Sequence, residues 1–497
     1  MAATAFALAV IGAATARGHG SVLETSPHRE AGPPHLRNWK YACQRGHGCV
    51  NSRNMNVELA WMGRHVEWNE VGATREQIGI SSELAAAGAK HIVVYTDPNI
   101  APYCGPFPIL GGKFIASLLM PPGVPEDGSN PCSREPGEIA GHLHAERGSY
   151  AHAFQHQGNN GNRLYEVAFA DDAGTKYEPL FIGDPDVQAA FAEVTRQNTV
   201  ATDVFEDDGG GGYNCEPAYG YCGRDAKYGR TSYAPPTCAH SDFAYWCYYY
   251  GETAAEWDRH SSPANPQGAQ QSYENDAVSL TDASSRPVIA NNGGHADEYS
   301  LVWARRATRL EGIMLEGAWG SISEPRWTDY ANAALLYHGM RKYVIEYFGG
   351  DGTAPNVLTQ LASHWIVYDP AYSVEAIPYN FPSGSGSEDG TFPEETIVPS
   401  APLVATPASS DVTAFRTSRN VFVREFAVCY QDGAPIGGCA AIVNIGGGAA
   451  AIGGLMRPYR HVLVQNTTTS WYKGGTPRWS TTVPNTVAAG TGLILAQ

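Results

Sequence analysis

Eight short apolar runs recur between residues 57 and 368, most of them stopped by an acid or an amide, with helix-like or irregular stretches between. They are Val57–Trp68, His91–Asn99, Arg163–Asp171, Thr202–Asp207, Arg286–Asn292, Leu310–Gly317, Arg341–Tyr347 and Ser363–Tyr368. Two of the intervening stretches, Asp186–Gln197 and Tyr330–Met340, space their apolar residues as helices do. Strands alternating with helices predict a parallel sheet with crossovers, and eight units predict a closed (β/α)8 TIM barrel of the α/β class. A doubly wound sheet would want a Gly-rich phosphate loop after its first strand, and none is present.

Two long segments interrupt the alternation. Residues 100–162 are rich in Gly, Pro and His, and residues 209–285 hold Cys215, Cys222, Cys238 and Cys247. Both read as loops above the barrel, held in shape by disulfides rather than by a core of their own. The remaining cysteines also fall in local pairs, Cys43 with Cys49, Cys104 with Cys132 and Cys429 with Cys439, which favours disulfides over zinc. Residues 1–16 form an apolar run ending in an A-x-A pattern, too short to span a bilayer. They read as a signal peptide and the protein as secreted, with no membrane span. Residues 17–380 are the expected barrel and 381–411, dense in Ser, Gly, Pro and Thr, a linker. Residues 412–497 alternate short strands with Gly-rich turns and predict a C-terminal β-sandwich.

Composition narrows the partner. The net charge of −17 argues against nucleic acid, because phosphate contacts need clustered Lys and Arg, and against a strongly anionic substrate. The 27 Tyr and 11 Trp suit stacking on sugars.

The catalytic end of a barrel is where its strands stop, so side chains far apart in sequence meet there. The stretch ATDVFEDDGGGG ends a strand in Glu206, Asp207 and Asp208, and LEGIMLEG ends another in Glu316. Two facing carboxyls are what cleavage of a glycosidic bond needs, one to protonate the leaving oxygen and one to act as nucleophile or base. That chemistry requires no cofactor and no metal. Asp207 and Glu316 are the expected pair, with their separation open. Glu206, Asp208, Asp97, Asn291, Glu346 and Tyr372 are expected to line the same mouth and hold sugar hydroxyls, and Trp319 to stack on a sugar ring.

Three motifs together resemble a known group: Phe205-Glu206-Asp207-Asp208, the strand Pro287–Asn291 and the strand Gly312–Gly317. Across residues 55–380 the chain is similar to extracellular (β/α)8-barrel glycoside hydrolases related to endo-α-1,4-polygalactosaminidases. The resemblance implies Asp207 and Glu316 as the catalytic pair. One departure is Glu206, where that group usually has an apolar residue, so Glu206 and Asp207 could exchange roles; only one of two strand neighbours can face inward.

Two other arrangements compete. His142, His144, His152 and His156 have spacings that bind zinc or copper. His19, near the N-terminus, is similar to the first residue of copper-dependent polysaccharide monooxygenases, although cleavage after Ala16 would leave Arg17-Gly18 ahead of it. A barrel that binds carbohydrate without cleaving it is the remaining alternative.

Overall fold

The structure is a computed structural model that describes residues 37–41, 63–64, 66–71, 75–96, 100–102, 177–179, 182–207, 268–291, 298–320, 325–348, 354–376, 392–407, 409–464 and 476–497. Its first half is built on strands β1 (Trp39–Tyr41), β2 (Trp68–Val71) and β3 (His91–Thr96), a ribbon of β4 (Ile100–Pro102) with β5 (Tyr177–Pro179), then β6 (Asp203–Glu206), β7 (Val288–Asn291), β8 (Leu310–Ala318), β9 (Tyr343–Phe348) and β10 (Ser373–Ala376). All but the ribbon form one parallel sheet in the order β1-β2-β3-β6-β7-β8-β9-β10. A parallel bridge between Asn38 and Glu375 joins its two ends, supported by the Glu375 N–H donating to the Arg37 carbonyl at 3.0 Å. The sheet therefore meets itself as an eight-stranded barrel.

Inward and outward positions alternate along each strand. Trp39, Trp68, Val93, Phe205, Ile289, Met314, Ile345 and Val374 fill the barrel interior. The alternate positions, such as Val204, Val288, Ile313 and Val344, pack outward in the larger core. That core is completed by α1 (Arg75–Ala87), α2 (Pro185–Gln197), α3 (Gly268–Ala283), α4 (Glu298–Arg306), α5 (Arg326–Gly339) and α6 (Ala354–Val367). Burial on both faces explains why the strands read as continuous apolar runs.

The membership of the eight differs from the sequence reading at both ends. Val57–Trp68 is displaced, since the strand begins at Trp68 and is preceded by another at Trp39–Tyr41. Arg163–Asp171 lies outside the described residues, and β3 pairs directly with β6. Ser363–Tyr368 falls largely in α6, and the last strand follows it. Val357, Leu361, Ala362, Trp365 and Ile366 of α6 are all buried, between the barrel and a second sheet. A helix covered all round shows no amphipathic stripe, so its β-branched end imitates a strand.

The second sheet is antiparallel. It runs Ile397–Pro402, Val421–Gln431, Ala434–Asn444, Thr491–Ala496, His461–Val464, Arg478–Ser480, with Arg416–Ser418 on the flank of Val421–Gln431. Its first strand falls within the stretch read as linker. One face packs on α5 and α6, where Trp327 meets Phe422 and Trp365 meets Phe426. The opposite face, with Val421, Ala440, Ile442 and Leu495, lies under a short ribbon of Ala450–Ala451 and Thr486–Val487. Cys429 and Cys439 are bonded across neighbouring strands; the other expected cysteine pairs lie outside the described residues. No helix among the described residues is long and apolar enough to cross a membrane.

Candidate active site

At the C-terminal ends of β6, β7 and β8 three polar side chains meet. Strand alternation turns Phe205 into the barrel and Glu206 out of it, so Asp207, one step on, faces inward again. Asp207 stays in sheet register because its N–H donates to the Thr96 carbonyl at 2.8 Å. Asn291 ends β7 on the inward side, as Ile289 does, and is 5% exposed. Glu316 follows Met314 on the inward face of β8 and is exposed to solvent.

One atom ties the three together. Asn291 Nδ2 donates to Asp207 Oδ1 at 2.9 Å and to Glu316 Oε2 at 2.8 Å. A planar amide points its two N–H bonds about 120° apart, and ideal bonds along both would set the two accepted oxygens about 5 Å from each other. The second oxygen of Asp207 accepts from the Tyr95 hydroxyl at 2.7 Å. Glu316 Oε1 accepts nothing from the described residues, and the Glu316 carbonyl accepts from the Tyr330 hydroxyl at 2.7 Å. Tyr95 sits inward on β3, two positions after Val93, a place the alternation of HIVVYT marks once the inward face is known.

Four of the expected mouth residues stand elsewhere. Glu206 is 0% exposed on the outer face of its strand, where Thr281 of α3 donates to it at 3.0 Å. Glu346 is also 0% exposed and points outward, because Tyr343, Ile345 and Tyr347 take the inward positions of β9. His364 of α6 places its Nδ1 3.0 Å from Glu346 Oε2. Trp319 is 2% exposed, donates to Glu346 at 2.8 Å and packs on Trp327 and Tyr330, so it presents no ring to a sugar. Tyr372 precedes β10, and its carbonyl accepts from Val344 at the start of β9; it lies at the N-terminal pole, away from the acids. Asp97, Asp208, His19 and the histidines at 142, 144, 152 and 156 lie outside the described residues. Among the described residues, no group of three or more His, Cys, Asp or Glu is placed to hold a metal ion.

No family model matches the chain, and no curated protein matches it. Solved structures similar to it include the trehalulose synthase MutB, at 8% identity and a TM-score of 0.41 over 93% of this chain and 98% of that one. The isomaltulose synthase of Erwinia rhapontici NX5 aligns at 8% identity and a TM-score of 0.43 over 93% and 97%. The type I pullulanase of Bacillus subtilis aligns at 8% and 0.30 over 85% and 55%. Scores this low carry no inference about the chemistry of this chain, and the site stands on its own geometry.

Proposed function

We propose that the chain is a secreted glycoside hydrolase that cleaves a polysaccharide with Asp207 and Glu316, and that it retains anomeric configuration. The observation that carries this is the single Asn291 amide bridging both carboxylates. Retaining enzymes hold their two carboxyls about 5–5.5 Å apart and inverting enzymes about 6.5–9.5 Å, because only the latter leave room for a water between the base carboxylate and the anomeric carbon. A spacing of about 5 Å belongs to the first class.

The hydrogen bonds support one division of roles. Both oxygens of Asp207 accept donors, from Asn291 and Tyr95, which suits the group that attacks as an anion. Glu316 has one oxygen engaged by Asn291, and its Oε1 is left to carry a proton. In the first step an Asp207 oxygen bonds to the anomeric carbon as the glycosidic bond breaks, and Glu316 gives its proton to the departing oxygen. In the second, Glu316 takes a proton from water, whose oxygen bonds to the same carbon and releases Asp207. The net charge of −17 favours neutral or amino sugars over polyanions.

A panel of neutral and amino polysaccharides, screened by reducing-end release, supplies the substrate. Asp207→Asn and Glu316→Gln should each lose at least about a thousandfold in kcat. Proton NMR of the first product should show the anomer of the starting bond. Full activity in both variants, or an inverted first product, would sink the reading.

A further inference from the structure

Glu316 is exposed and sits at the end of its strand, the place where a side chain wanders most. Several features of the chain around it oppose that. The pairing of β8 with β9 shifts register between Glu316 and Ala318, a bulge of the kind that re-aims a side chain. Gly317 has φ 72° and Trp319 has φ 60°, so two residues in three adopt the left-handed region, one of them a bulky non-glycine. Such a backbone persists only where its surroundings over-determine it. Two side chains supply that constraint. The Trp319 indole N–H donates into Glu346, which is buried between β9 and α6. The Tyr330 hydroxyl, from α5, donates to the backbone carbonyl of Glu316 itself. Between them, the Gly320 N–H closes a turn on the Gly317 carbonyl at 3.2 Å.

We infer that Trp319 and Tyr330 are positioning residues for Glu316: they pin the bulged end of β8 so that its carboxyl reaches the leaving oxygen. This rests on the reading of Glu316 as the proton donor. Neither residue touches the sugar; Trp319 acts through the backbone, with Glu346 as its anchor. Displacement of a catalytic group by about 1 Å can cost about a hundredfold, so a pinned strand end has a kinetic consequence.

The test uses leaving groups of different demand. A polysaccharide leaving oxygen needs the proton from Glu316, whereas fluoride departs without one. kcat/KM is measured for the full chain on the polysaccharide found by screening and on α- and β-glycosyl fluorides of glucose, galactose, mannose and their 2-amino analogues. Glu316→Gln should lose kcat/KM on the polysaccharide and keep kcat/KM on the fluoride, while its kcat on fluoride falls because Glu316 also takes the proton from water in the second step. Trp319→Phe and Tyr330→Phe should show the same pattern in weaker form, about 10- to 100-fold down on polysaccharide and within about threefold of wild type on fluoride. Retained fluoride turnover also reports that each variant is folded; if Trp319→Phe does not fold, Tyr330→Phe, which loses only a hydroxyl, still decides the matter. Equal losses on both substrates, or none on either, in these two variants would overturn the inference while leaving Glu316→Gln to speak for the reaction. If Glu316→Gln itself shows no leaving-group dependence, or the wild type is inert toward every probe, the underlying reading falls and this inference with it.

Discussion

Asn291→Leu tests the centre of the site. Leucine has nearly the shape of asparagine, so the change removes two donors without opening a cavity. Each lost N–H served a carboxylate, and hydrogen bonds to charged groups are worth about 1.5–3 kcal/mol each. With Glu316 as the proton donor and Asp207 as the anion, the loss falls chiefly on Asp207, which keeps the Tyr95 donor. Glu316 is exposed, so water replaces part of what is lost there; Asp207, half-buried and still held by Tyr95, keeps its place better. The net loss of transition-state stabilisation is expected at about 3 kcal/mol, roughly a hundredfold in kcat/KM. Initial rates on the screened polysaccharide measure it, with circular dichroism and thermal unfolding to confirm the fold. A variant whose kcat stays within about threefold of wild type would refute the bridging role, since an asparagine that merely held a sugar hydroxyl would raise KM and leave kcat alone.

Glu206→Gln should leave kcat/KM within about threefold of wild type, in contrast to Asp207→Asn, because Glu206 lies outside the barrel against Thr281; a loss as large as that of Asp207→Asn would return Glu206 to the site. Burial holds the Glu375 carboxyl well above the ordinary range, the Glu395 charge pushes the same way, and Lys40 opposes. A carboxyl raised in the folded state contributes stability that is present at low pH and lost as pH rises through its folded value. Thermal unfolding should therefore show Tm falling from mildly acidic to alkaline pH, with a shallower fall in Glu375→Gln; identical slopes would remove Glu375 as the cause. A Cβ on Gly492 would stand 2.7 Å from the Ala362 Cβ and 3.0 Å from the Thr359 Cα, where the C-terminal sheet rests on α6. Gly492→Ala should cost about 1–3 kcal/mol by urea unfolding and spare activity at low temperature; an unchanged midpoint would mean that the two layers separate freely.

The chain by itself determined the class of fold. Short apolar strands with polar stops, at helix-length intervals, admit few arrangements other than a parallel barrel, and the acids ending Thr202–Asp207 and Leu310–Gly317 marked the end of the barrel where the proposed pair meets. What it left undecided was the direction of each side chain. An antiparallel strand with one wet face shows its inward side by alternation, but these strands are covered on both faces. Glu206 therefore looked like Asp207, and Glu346 like Glu316, until the interior residues Phe205, Ile345 and Met314 set the phase. Helix α6, buried all round, passed for a strand for the same reason and carried Tyr372 to the wrong pole. Only the tertiary structure brought Tyr95 and Asn291, from two further strands, to the same pair of acids, because the parallel pairing that sets β3, β6, β7 and β8 side by side is what makes residues nearly two hundred positions apart into neighbours.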